Sequence, residues 1–310
     1  MSDTFHTMTT LTTLNDKDLS GVEVDDLVQA APLLAALPAE PTDGNTYKHL
    51  KETGAPTVGF RSVNVGREYS VSTDTLVTTT LALLDASFRC DKALADQYGR
   101  GAEAYIGREA ARHLKAALFA LEQQIIYGTD TDADGFAGFA QCTGVDAASD
   151  TMVIDAGGTT SSTGSSVYAL FASADKGVHI PVGQQGRIDI DETITQEVDD
   201  SSGKHYTAYY TPILGWMGCV TGGAYTIGRI ASLTEDASCG LTDALIYQLL
   251  EQFPVDRTPN MLVMNRRSRR QLRASRTATN ATGAPAPIPQ EVEGIPIICV
   301  ESITNTETLL

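Results

Sequence analysis

The chain has 310 residues, with 39 Asp and Glu against 22 Lys and Arg and a formal net charge of −17. So acidic a chain repels nucleic acid and anionic membrane at long range, and any contact with DNA has to come from a local basic patch. Hydrophobic residues make up 42% of the chain; that suffices for a sizeable core, and the length suits roughly two domains.

The opening "MSDTFHTMTTLTTLND" has neither a basic start nor an apolar stretch, so no secretory signal is expected there. Apolar runs such as "LLAAL" at 33–37 are too short to span a bilayer. The five cysteines (Cys90, Cys142, Cys219, Cys239 and Cys299) are scattered and form no C-x-x-C, which reads as reduced thiols serving as small core residues.

Residues 1–44 read as an extended arm with one short helix near 24–31, interrupted by Pro32, Pro38 and Pro41. Residues 57–84 are dense in Val, Thr and Tyr. Val58 and Phe60 alternate, Tyr69 and Val71 alternate, and Gly66 supplies a turn, so a hairpin is expected. So polar a hairpin needs a partner surface. Residues 102–127 place Ile106, Ala110, Leu114, Leu118, Leu121 and Ile125 on one helical stripe, which Gly128 ends. At 1.5 Å per residue that rod is roughly 39 Å long.

The stretch "YGTDTDADGFAGFAQ" at 127–141 begins like a calcium loop, with Asp130, Asp132 and Asp134 followed by Gly135. Its twelfth position is the neutral Gln141 instead of a bidentate Glu, no helix follows, and no second copy exists. The expectation is a solvated turn that ends the long helix.

Residues 151–235 read as strands, with "DDSSGK" at 199–204 and "TGGA" at 221–224 as turns between antiparallel neighbours. Residues 241–310 alternate helix and strand: "LTDALIYQLLEQFP", "NMLVMN", "RRSRRQLRASR" and "GIPIICVESI", a compact α/β unit. No pair of the five histidines has metal-ligand spacing, and His113 suits a helix surface. H-E-x-x-H, G-x-S-x-G, a P-loop lysine motif and a strand-borne G-x-G-x-x-G are all missing, so no local motif points to catalysis, a metal or a cofactor.

The sharpest local charge is Arg266, Arg267, Arg269, Arg270, Arg273 and Arg276 on one helix. Two readings stand: contact with phosphate, or ion pairing with acids of this chain or of a neighbouring copy. The abundance of acids favours the second.

In this order, the pieces resemble a tailed-bacteriophage major capsid protein of the Hong Kong 97 shell fold, with epsilon 15-like capsid proteins the nearest in kind. "LFALEQQIIYGTDTDADGFAGFA" looks like the end of that family's spine helix and its turn. "LTDALIYQLLEQFP…NMLVMNRRSRRQLRAS…EVEGIPIICVESI" looks like its axial domain. The resemblance implies an α+β fold: an N-terminal arm (1–44), an extended loop (45–84), a peripheral domain (85–150) carrying the spine helix, peripheral-domain strands (151–235) and an axial domain (236–310). In the common family order the peripheral strands come last. Here they precede the axial segment, which implies permuted connectivity.

The function implied is a structural one, not catalysis. Many copies would form pentamers and hexamers of an icosahedral virion shell around double-stranded DNA, without sequence-specific binding and without a cofactor or membrane. A separate scaffolding protein, a portal and a decoration protein are the implied partners, and the host cytoplasm the place of assembly. Arg266, Arg269, Arg270, Arg273 and, in the hairpin, Arg61 and Arg67 are the candidates for contact with neighbouring subunits or DNA. Rival readings are an encapsulin-type nanocompartment, a calcium-binding or adhesive β-protein, and a hydrolase with a discontinuous site.

Overall fold

The computed structural model describes residues 30–199, 201–280 and 284–310. The helix expected near 24–31 lies almost wholly outside them. The described arm carries α1 (Pro32–Ala36), which starts with proline at its first turn, where no backbone N–H is needed. β1 (Ala39–Pro41) follows.

The hairpin is longer than its Val and Tyr pattern indicates. Its strands are β2 (Thr46–Gly54) and β3 (Thr73–Thr80), paired from Thr46–Thr80 to Gly54–Thr73. The segments 57–60 and 69–71, expected as the strands, lie in the connection between them. Strand propensity expresses how well side chains pack on a pleated surface, and here Val58, Phe60, Tyr69 and Val71 are each more than four-fifths exposed among the described residues. The two sides of the connection are tied instead by Thr57 N–H donating to Ser70 Oγ at 2.6 Å and by Arg67 donating to the carbonyls of Thr57 and Gly59.

Next come β4 (Ala82–Asp85), β5 (Phe88–Asp91), α2 (Lys92–Asp96) and the 26-residue α3 (Ala102–Tyr127). The bounds of α3 are those its periodicity predicts. Gly128 ends it at φ 64°, where a Cβ would also stand 2.3 Å from the backbone nitrogen of Gly138. Burial along α3 is uneven. Leu121, Ile125 and Ile126 enter the main core, whereas Ile106, Ala110 and Leu114 only flank a smaller cluster of Ala86, Phe88, Ala117 and Ile213. His113, expected on the surface, stacks on Phe88 with ring centres 4.9 Å apart.

The block 151–235 contains β6 (Val153–Asp155), β7 (Ser165–Leu170), β8 (Ile180–Val182), β9 (Ile188–Ile190), β10 (Ile194–Asp199), β11 (His205–Thr211), β12 (Ile213–Met217) and β13 (Ile227–Leu233). The remainder contains α4 (Asp243–Glu251), β14 (Met261–Met264), α5 (Arg266–Ala278), β15 (Glu291–Val292) and β16 (Ile295–Cys299). The block is not one unit. β10 and β11 pair through the 199–204 turn, as expected, and add to β5. "KHYTAYYTPILGWMGCV" breaks at Pro212, which has no N–H to give a ladder, and β12 joins a different sheet beside β4, β8 and β9.

β6, β7 and β13 go elsewhere again. They complete a six-stranded sheet of order β15-β16-β14-β7-β13-β6. "TGGA" is therefore a crossing between sheets and not a hairpin turn. The segment 236–310 is likewise not self-contained. All four residues of its central strand β14 are buried, so both edges need neighbours; the C-terminal segment provides β16 on one side and β7 covers the other. The stretch 188–217 meets α3 through Ile213 at Ala117 and Tyr209 at the cluster of Cys90, Tyr98 and Tyr105.

Candidate assembly surface

Among the described residues the hairpin pairs with no other strand. Its connection presents Val58, Phe60, Val63, Tyr69 and Val71, each more than four-fifths exposed. Single exposed apolar residues are ordinary on a monomer, whereas a contiguous set on a projecting loop marks a contact surface. Arg61 and Arg67 sit in the same connection. Arg67 is used to hold the loop's shape, and Arg61 reaches the carbonyl of Val65 at 3.4 Å.

The basic helix α5 is differently placed. Asn265 caps it, accepting from Ser268 N–H at 2.9 Å. Arg266 pairs with Glu301 and Arg270 with Glu235. Arg267 donates to the carbonyls of Thr163 and Leu233 and to Ser165 Oγ, all within 2.9 Å. Arg273 Nε donates to the carbonyl of Ala286 at 2.7 Å, and Arg276 makes two bonds of 2.7 and 2.8 Å to Asp243. Five of the six arginines thus fasten α5 to its own subunit. Arg269 is half-buried on the same helix.

The acidic turn is built by backbone bonding. Gln124, buried on α3, donates from Nε2 to the carbonyls of Phe136 at 2.7 Å and Asp132 at 3.2 Å. Gln141, at the twelfth position of the calcium-like pattern, accepts from Thr129 N–H at 3.0 Å. The side chains of Asp130, Asp132 and Asp134 face solvent. Among the described residues no three His, Cys, Asp or Glu side chains converge in a way that could hold a metal ion, and no helix is long and apolar enough to cross a membrane.

Two buried joints are not legible in the sequence. At the first, Glu122 accepts from Leu33 N–H at 2.8 Å and from the hydroxyl of Ser302. It thereby caps α1 from the long helix and binds the C-terminal segment too. Burial pushes its carboxyl above the usual range, partly offset by those donors. The available signal was a charge on the apolar face, four residues from both Leu118 and Ile126. At the second joint, Glu307 accepts from Tyr127 OH at 2.7 Å and Ser166 Oγ at 2.5 Å, with Arg229 Nη2 3.6 Å away. Nothing local in "TNTETLL" marks that glutamate.

The family model for major capsid protein GP7 matches residues 20–310. Among solved structures, the chain is similar to the bacteriophage epsilon15 structure, with a TM-score of 0.73 and 21% identity, covering 100% of this chain and 98% of that one. It is also similar to the bacteriophage JBD30 capsid decorated with minor capsid protein trimers, with a TM-score of 0.55 and 13% identity over 95% of this chain and 98% of that one. No curated protein matches by sequence.

Proposed function

This chain belongs to the major capsid protein GP7 family, and on that premise we propose that its copies form pentamers and hexamers of an icosahedral head enclosing the double-stranded DNA of a tailed phage. The observation that carries the reading is the hairpin, whose apolar connection leaves Val58, Phe60, Val63, Tyr69 and Val71 more than four-fifths exposed among the described residues. Covering it with a second copy buries that surface, and many modest contacts of this kind sum to a stable shell. Heterologous contacts that close on themselves give rings of fixed number.

We assign residues 1–44 to the arm and 45–84 to the extended loop. The peripheral domain comprises α3 with the strands of 82–91 and 188–217, and the axial domain comprises the six-stranded sheet with α4 and α5. That differs from a division at residue 235, because β7 and β13 belong with the axial strands. Arg266, Arg270 and Arg273 serve to hold this domain together, leaving Arg269 and Arg61 as the arginines for contact with a neighbour. The net charge of −17 suits a shell that encloses DNA without gripping it. A separate scaffolding protein, a portal and a decoration protein complete the proposed set, with assembly in the host cytoplasm. An encapsulin-type compartment shares the fold, and the family match favours the phage head over it.

The test is size. Expressed alone, and again with a co-expressed scaffolding protein, the chain should give rings of five or six or closed shells by light scattering and negative-stain microscopy. A 33.0 kDa monomer under both conditions would remove the reading.

A further inference from the structure

Where the hairpin meets the body there is a cleft of about 580 Å³, walled on one side by β2 and on the other by the loops around 175–179, 220–225 and 254–257. Two histidines face each other across it. His49 lies on β2 opposite Val77. His179 is only 3% exposed. Tyr47, on the same face of β2, lies between them, its ring 5.9 Å from His49 and 5.2 Å from His179.

The bonding of His179 sets its tautomer. Nδ1 stands 3.2 Å from the carbonyl of Gly177, which can only accept, so Nδ1 bears the hydrogen. Nε2 is then a bare lone pair when the ring is neutral. It is buried, has no hydrogen-bond partner among the described residues, and lies 3.6 Å from Glu40 Oε2. That same carboxylate oxygen already accepts from Tyr47 OH at 2.8 Å. The Nδ1 of His49 is likewise enclosed without a partner. Burial above all, then His179 and Lys51, hold the His49 imidazole below its ordinary range, so it resists charging in the closed cleft. The other charged groups on the walls are Lys176 and Arg257 against Glu52, Asp175 and Asp256.

We propose that this cleft is a proton-operated joint that holds the hairpin root against the body while His49 is neutral and releases it when His49 is charged. A proton on His49 is disfavoured by the burial of the cleft, by His179 across it and by Lys51 two residues along the same strand. The base whose charging the closed form resists is His49, so the closed form loses stability as pH falls below the ordinary histidine range. Because the hairpin pairs with no other strand among the described residues, loosening its root moves the whole projection while the six-stranded sheet stays intact. The inference concerns one subunit and does not depend on assembly.

Hydrogen exchange of the unassembled full chain tests it, with rates corrected for the intrinsic effect of pH and the strands of the six-stranded sheet as internal reference. Between about pH 7.5 and about pH 5, opening of 46–54 and 73–80 should rise roughly tenfold or more while the reference stays level. His49→Gln, at a half-exposed position where folding is not at risk, should flatten that rise, and His179→Gln should reduce it. A wild-type hairpin with no rise, or an equal rise in His49→Gln, would overturn the joint.

Discussion

Tyr127 donates its phenol hydrogen to Glu307 Oε1 at 2.7 Å, joining the last residue of the long helix to the end of the chain. Glu307 in turn bonds Ser166 and faces Arg229, each of the two charged side chains 6% exposed. Helix, sheet and C-terminal segment thus share one carboxylate.

Removing one member of that pair should cost far more than removing both. Glu307→Ala leaves Arg229 buried beside Tyr168 without its counter-charge, an expected loss of about 3–5 kcal/mol. Arg229→Met combined with Glu307→Leu should lose clearly less than the single change. Urea denaturation of the three proteins checks the order.

Glu122 gives a pH signature. Its folded carboxyl titrates above the ordinary value of 4.5 because burial disfavours the charge. The stability tied to it is therefore fully present below the unfolded value and lost as pH rises through the folded one. The difference in stability between Glu122→Gln and wild type should then move in favour of the variant across that window. Denaturation midpoints at several pH values, compared between the two proteins, measure it; a flat difference would contradict the burial argument.

At the hairpin tip, folding and assembly should separate. Phe60 and Tyr69 are almost fully exposed among the described residues, so Phe60→Ser and Tyr69→Ser should change stability by no more than about 0.5 kcal/mol. Both should suppress formation of rings or shells in sedimentation. Loss of stability without loss of assembly would reverse the assignment.

Gln124→Leu should cost about 1–3 kcal/mol, because the carbonyls of Phe136 and Asp132 lose their buried donor. Adding calcium should restore none of it in a thermal scan, since Gln141 is engaged with Thr129 and the aspartates face outward.

How far the fold could be read in advance depended on the range of the interactions. The bounds of α3, its glycine end and the 199–204 turn were legible because their signals repeat within four residues. The long strands β2 and β3 were not. "TYKHLKETG" has no apolar alternation, and its pairing to Thr73–Thr80 spans a connection that looks more strand-like than the strands themselves. The arginine helix was legible as a helix, but its ion pairs with Glu235, Asp243 and Glu301 join segments roughly thirty residues away.

Local order by itself therefore determined α3 and the two helices of the C-terminal segment, the acidic character and the order of pieces that resembles a capsid subunit. The tertiary structure alone decided that β7 and β13 complete the C-terminal sheet, that Glu122 and Glu307 are buried joints, and that His49 meets His179. Each of these joins residues 57 to 180 apart in number through a backbone ladder or one shared carboxylate or cleft. A helical stripe is a property of neighbouring residues, whereas a sheet edge or a buried charge acquires its partner only when distant segments are packed together.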